Sequence, residues 1–125
     1  GLMVMAGDSV EVTGNRFHDN QSFGVAVIGL NLFFGEDYVY DVDPIPDACW
    51  VHNNDYQNNG YEPAKIVVES GLDGADLLWD VTGYTNNWHE NNVSSIPPTL
   101  PDKNWSWIGR KANYRIWRLL FNIFG

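Results

Sequence analysis

NRFHDN at Asn15–Asn20, NDYQNN at Asn54–Asn59 and NNWHEN at Asn86–Asn91 share one pattern: Asn, any residue, an aromatic, two polar residues, Asn. Sliding the first window by 39 residues pairs Val10 with Cys49, Val12 with Val51, Phe17 with Tyr56 and Val27 with Ile66. Sliding it by 71 pairs Val10 with Val81, Phe17 with Trp88 and Asn20 with Asn91. A fourth partial copy, Gly1-Leu2-Met3-Val4-Met5, has the phase of Gly24–Ile28, 23 residues further on. Self-similarity at such spacings marks a chain built from stacked units, each unable to bury its apolar face alone.

Alternation in Val10-x-Val12 and Val25-x-Val27 turns one face of each short strand inward at period 2. Asn suits the bends because it tolerates left-handed backbone angles and bonds its own turn. Equivalent asparagines on neighbouring units form ladders. The repeat positions are therefore Asn15, Phe17 and Asn20, Asn54, Tyr56 and Asn59, and Asn86, Trp88 and Asn91. The aromatics are expected to stack as a core column rather than to face solvent as a sugar platform. A period of 23 suits one turn of three short strands and three bends. The expected fold is all-β: a right-handed parallel β-helix of about three coils over residues 1–101. Insertions are expected near 30–47 and 70–76. A chain that opens on strand phase is expected to be the C-terminal part of a longer stack, with upstream coils as its neighbours.

Charge is unevenly placed. Residues 1–101 hold two basic and fifteen acidic side chains, a formal −13, whereas residues 102–125 hold five basic and one acidic, a formal +4. An acidic body repels phosphate backbones, which excludes nucleic acid as its partner. The single cysteine, Cys49, excludes an internal disulfide and takes a core phase, which reads as a small apolar residue rather than a nucleophile. No apolar run approaches the roughly 20 residues that span a bilayer.

After Pro97-Pro98-Thr99-Leu100-Pro101 the chemistry changes, because prolines cannot donate to a strand ladder. Tyr114, Trp117, Leu120, Phe121 and Phe124 then fall at helical spacing, with Arg115 and Arg118 off that stripe. Residues 102–125 read as a basic, aromatic, amphipathic helix. Its expected role is to cap the open end of the stack. Peripheral contact with an anionic membrane and docking of a partner are the other two uses open to it.

The windows NRFHDNQSFGVAV and NNDYQNNG resemble the parallel β-helix repeats of the pectate-lyase-like superfamily. LLWDVTGYTNNWHEN followed by PPTLP is similar to the closing segment of bacterial β-helix repeat proteins of poorly defined function. The resemblance covers residues 1–101 and is specific for fold rather than activity. It implies an exported protein, periplasmic, extracellular or at the cell surface. It also implies a carbohydrate setting, with a polysaccharide or cell-surface glycan as partner. Lyases of that superfamily hold Ca²⁺ on aspartates and use an Arg or Lys as base.

The acidic half of such a site is present in Glu36, Asp37, Asp41, Asp43 and Asp47, a binding segment with Asp41 and Asp43 as candidate Ca²⁺ ligands. The basic half is thin, since only Arg16 and Lys65 occur in the body, at outward positions. For glycoside hydrolysis, which needs two carboxyl groups about 5–9.5 Å apart, the candidates are Asp73, Asp76 and Asp80. His18 and His89 share a repeat phase and His52 does not, which argues against a three-histidine metal site. The balance favours a scaffold or a glycan- or protein-binding surface without catalysis of its own. The alternative is a fragment of a lyase, epimerase or hydrolase.

Overall fold

The computed structural model describes residues 1–34, 41–69, 71–83 and 85–124, with the side chains of Phe33 and of residues 121–124 outside that description. Among these residues every strand pairing is parallel. Sheet I contains Leu2–Met5 (β1), Phe23–Ile28 (β4), Ala75–Trp79 (β7) and Ser95–Ile96 (β9) in that order. Sheet II contains Glu11–Thr13 (β2), Trp50–His52 (β5) and Asn87–His89 (β8), and sheet III contains Arg16–His18 (β3) and Asp55–Gln57 (β6). The helices are Asn31–Phe34 (α1), Lys65–Glu69 (α2) and Trp107–Phe124 (α3).

Period-2 alternation decides which side chains meet. Val4, Val25, Val27, Leu77 and Trp79 from sheet I pack with Val12, Val51 and Trp88 from sheet II, and Phe17 and Tyr56 of sheet III close the cluster. Cys49 is buried in it, as its phase predicts, and its thiol donates to the Gly7 carbonyl at 3.1 Å. Sheet I is apolar on its other face too. There Ala26, Ile28, Ala75 and Leu78 form a second core, roofed by Leu32 of α1, Val67 of α2 and Leu72.

The asparagine ladders form, and they end on carboxylates. Asn15 Nδ2 donates to Asn54 Oδ1 at 3.2 Å, and Asn54 Nδ2 donates to Glu90 Oε2 at 3.2 Å. Asn20 Nδ2 donates to Asn59 Oδ1 at 2.8 Å, and Asn59 Nδ2 donates to Asp76 Oδ1 at 2.9 Å. Left-handed backbone falls on Asp19 and Asn58, at φ 58° and 54°, one residue before Asn20 and Asn59 rather than on the repeat asparagines themselves. Phe17 stacks on Tyr56 with centroids 5.6 Å apart.

The class expected from the sequence is corrected by this arrangement. The chain is not an all-β, right-handed parallel β-helix of about three coils. Its strands run from two to six residues in three separate small sheets, and α3, at 18 residues, is longer than any of them. No continuous solenoid is shown. The pairing offsets explain why a constant period fails. Offsets of 23 (Leu2 to Val25) and 39 (Val12 to Val51, Phe17 to Tyr56) are the observed registers, but the later ones are 52, 37 and 18.

Two further pairings are therefore corrected. Val27 meets Trp79 and not Ile66, because Lys65–Glu69 has an unbroken apolar triplet after Pro63 and folds as α2. Trp88 meets Val51, so it lies with Val12 and not with Phe17. The third hexapeptide thus aligns with Cys49–Asn54 and not with Asn54–Asn59. Asn86 is consequently no ladder residue. It is fully buried, donating to the carbonyls of Pro46, Thr82 and Gly83 and accepting from Cys49 N.

The turn beneath it needs glycine, since Gly83 has φ +77° and a Cβ there would overlap the Pro46 carbonyl oxygen. At the far end Pro97 and Pro101 are fully buried. α3 then lies back on the body, with Tyr114 and Trp117 against the first core.

Candidate binding cleft

With Val12, Val51 and Trp88 turned inward, their neighbours on sheet II turn outward. The register sets them in two rows, Glu11–Trp50–Asn87 and Thr13–His52–His89. Asn53 Nδ2 lies 3.0 Å from His52 Nδ1 and can only donate, so the ring proton sits on Nε2, which donates to Glu11 Oε1 at 2.8 Å. The same ring stacks on Trp50 at 3.5 Å and 13°. Lys103 Nζ stands 3.5 Å from the Trp50 centroid. The imidazole and the ammonium cannot share a face, so the indole is covered on both sides. Trp50 is therefore an anchor for the residues around it rather than a platform for a ligand.

His89 is held differently. Its Nδ1 hydrogen-bonds Asp102 Oδ2 at 2.8 Å, and Asp102 Oδ1 accepts from Asn104 N at 2.8 Å. Asp102 also joins the edge of sheet II through its bridge to Trp88. The two imidazole–carboxylate pairs thus stand side by side, Glu11 with His52 and Asp102 with His89. Aligning the third repeat on its aromatic concealed this. Aligning Trp50-Val51-His52 with Asn87-Trp88-His89 on the histidine would have found it. His18 stands apart on sheet III, 3.0 Å from Asp55.

Beside Asp102 opens a cleft of about 280 Å³ whose walls include Trp88, Glu90, Asn92, Ser95, Thr99 and Asp102. Glu90 is fixed by two bonds from Asn54, N at 3.0 Å and Nδ2 at 3.2 Å. Trp88 is 3% exposed and its indole N–H has no hydrogen-bond partner among the described residues. Tyr56 OH is also buried without one, and burial, then the Glu90 carboxylate, pushes that phenol far up. Buried donors left unpaired are rare in native proteins and call for a partner.

The expected catalytic carboxylates each accept hydrogen bonds from backbone. Asp73 accepts from Gly74 N at 2.7 Å. Asp76 ends an asparagine ladder and accepts from Ser94 N at 3.0 Å. Asp80 accepts from Gly29 N at 2.9 Å and from Thr82 N at 3.2 Å. Burial pushes the Asp80 carboxyl up, tempered by those bonds and by Arg118. All three satisfy backbone.

Of the acidic segment, Glu36 and Asp37 lie outside the described residues. Asp43 and Asp47 come together with Asp8, which the sequence reading missed, with carboxylate oxygens within 4.8 Å of one another. Asp41 is not in that cluster. Burial, then Asp43 and Asp8, push the Asp47 carboxyl above its usual range. These three are the described residues able to hold a hard cation together. No protein-family model, curated protein or solved structure matches the chain, and nothing in these comparisons identifies a pectate-lyase-like protein.

Proposed function

We propose that this chain is a non-catalytic binding module of an exported bacterial protein, and that the Trp88–Glu90–Asp102 cleft takes a glycan of neutral or amino sugars. The observation that carries this reading is a cleft of about 280 Å³ walled by Trp88 and furnished with two carboxylates, an amide and two hydroxyls. Sugar hydroxyls both donate and accept, so they suit a mixed lining of this kind. Uronates do not, because Glu90 and Asp102 sit in a chain of net charge −9. Such glycans occur in the periplasm, at the cell surface and outside the cell, and this reading assigns the protein there.

One observation favours a hydrolase instead: Asp102 orients His89 beside the cleft, leaving Nε2 as a base. Among the described residues, however, no serine or threonine hydroxyl or cysteine thiol hydrogen-bonds to that ring, and Asp73, Asp76 and Asp80 each accept from backbone. Isothermal titration of the full chain with neutral, amino-sugar and uronate oligosaccharides tests the proposal. We expect binding to the first two classes, weakened tenfold or more by Glu90→Gln, with ligand recovered intact. Failure to bind any of them, or release of cleaved product, would overturn it.

A further inference from the structure

The helix that ends the described chain is apolar on two sides, and only one of them is covered. Tyr114 and Trp117 face the core, Arg110 Nη1 donates to Asn87 Oδ1 at 2.6 Å and Arg118 Nη1 to the Val81 carbonyl at 3.3 Å. On the opposite side Ile108, Ala112, Ile116 and Leu119 fall on one stripe at helical spacing. Ile108 is 73% exposed, Ile116 57% and Leu119 61%. Trp105 and Trp107 stand exposed at the start of the same helix. Arg115 borders the stripe, and Lys111 lies 4.7 Å over the Trp107 ring.

We propose that this outward face of α3 seats the protein on the surface of an anionic bilayer. Charge supports that occupant. Lys111 and Arg115 border the outward stripe, Lys103, Arg110 and Arg118 turn to the body, and no acidic residue falls from Lys103 to Gly125, while residues 1–101 carry a formal −13. An anionic surface attracts these cations and repels the acidic body behind them, so the asymmetry orients the stripe toward lipid, where burial of its apolar side chains supplies the binding. No helix among the described residues is long and apolar enough to cross a membrane. The helix therefore lies in the interface, stripe down, with the tryptophans at headgroup depth.

Sedimentation of the full chain with vesicles of phosphatidylcholine and phosphatidylglycerol (3:1), against pure phosphatidylcholine, tests this without any glycan present. The expected result is binding to the anionic vesicles alone, reduced by 0.5 M salt. The double variant Ile108→Gln/Ile116→Gln alters side chains outside the core, so its fold should persist by circular dichroism. It is expected to bind tenfold or more weakly while its glycan titration is unchanged. Arg115→Gln is expected to give a smaller loss and a shallower salt dependence. Absence of sedimentation, or equal sedimentation of the double variant, overturns the proposal. A dimer in solution that the same double variant dissociates also overturns it, by assigning the face to a second copy.

Discussion

Sheets I and II share one core and one parallel pairing rule, yet their outer faces have opposite fates. Beyond sheet I, Ala26, Ile28 and Leu78 are apolar, so the chain must supply a roof and does so with α1, α2 and Leu72. Beyond sheet II the equivalent positions are Glu11, Thr13, Trp50, His52, Asn87 and His89, polar or aromatic, among which Glu11 bonds His52, His89 bonds Asp102, Asn87 accepts from Arg110, and His52 and Lys103 flank the Trp50 ring. The backbone does not distinguish the two faces. Side chains at alternate positions do, and they decide whether a parallel sheet becomes interior or surface.

That contrast can be broken by exchanging its chemistry. Leu78→Asp sets an unpaired carboxylate between the sheet and its roof and is expected to abolish folding, seen as loss of the cooperative urea transition. Thr13→Asp, the same new charge on the outer face of sheet II, is expected to shift stability by no more than about 0.5 kcal/mol. Equal damage from both would mean that sheet II is covered as sheet I is. Truncation sharpens the comparison. Leu78→Ala should cost about 2–5 kcal/mol through its cavity. Trp50→Ala should cost about 1–2 kcal/mol, since it loses ring contacts with His52 and Lys103 at a half-open site.

A smaller effect than that of Trp50→Ala is expected at the bridge between Asp8 and Asp47. The folded state holds the Asp47 proton more tightly than the unfolded chain, whose ordinary value is 3.8. Stability should therefore fall as pH rises from about that value through the raised folded pKa, and stay lower above it. Asp80, raised mainly by burial, acts with the same sign. Asp47→Asn is expected to flatten part of this slope and to gain less than about 1 kcal/mol at neutral pH, read from urea midpoints across the pH range. A steeper slope in the variant would mean that Asp47 is stabilised by its charge.

Much of the local design was legible in the sequence. The offsets of 23 and 39 residues are true registers, and the inward valines, buried Cys49, the ladders of Asn15 with Asn54 and Asn20 with Asn59, and the Phe17–Tyr56 stack follow from alternation and repeat phase. The global class was not legible. A repeat read from three hexapeptides treats every copy alike, whereas the third, NNWHEN, enters sheet II one strand earlier than its aromatic implies. Periodicity also cannot register that Lys65–Glu69 turns helical to roof a sheet, because that choice is made by the apolar face beneath it. The site was obscured for the same reason. Asp73, Asp76 and Asp80 look like a carboxylate cluster in a string of letters. The pairs that meet, Glu11 with His52 and His89 with Asp102, come from segments that only strand register brings together.

The two asparagine ladders impose a constraint across generations as well as across space. Asn20 gives its amide hydrogens to Asn59, which passes its own to Asp76, so each member matters only while its partner can answer. Losing one leaves the others with amide or carboxylate groups unanswered, while losing two together removes the need along with the supply. Related chains should therefore change positions 20 and 59, or 15 and 54, in pairs. A lineage in which one asparagine of a pair drifts freely would have found another way to hold these strands in register.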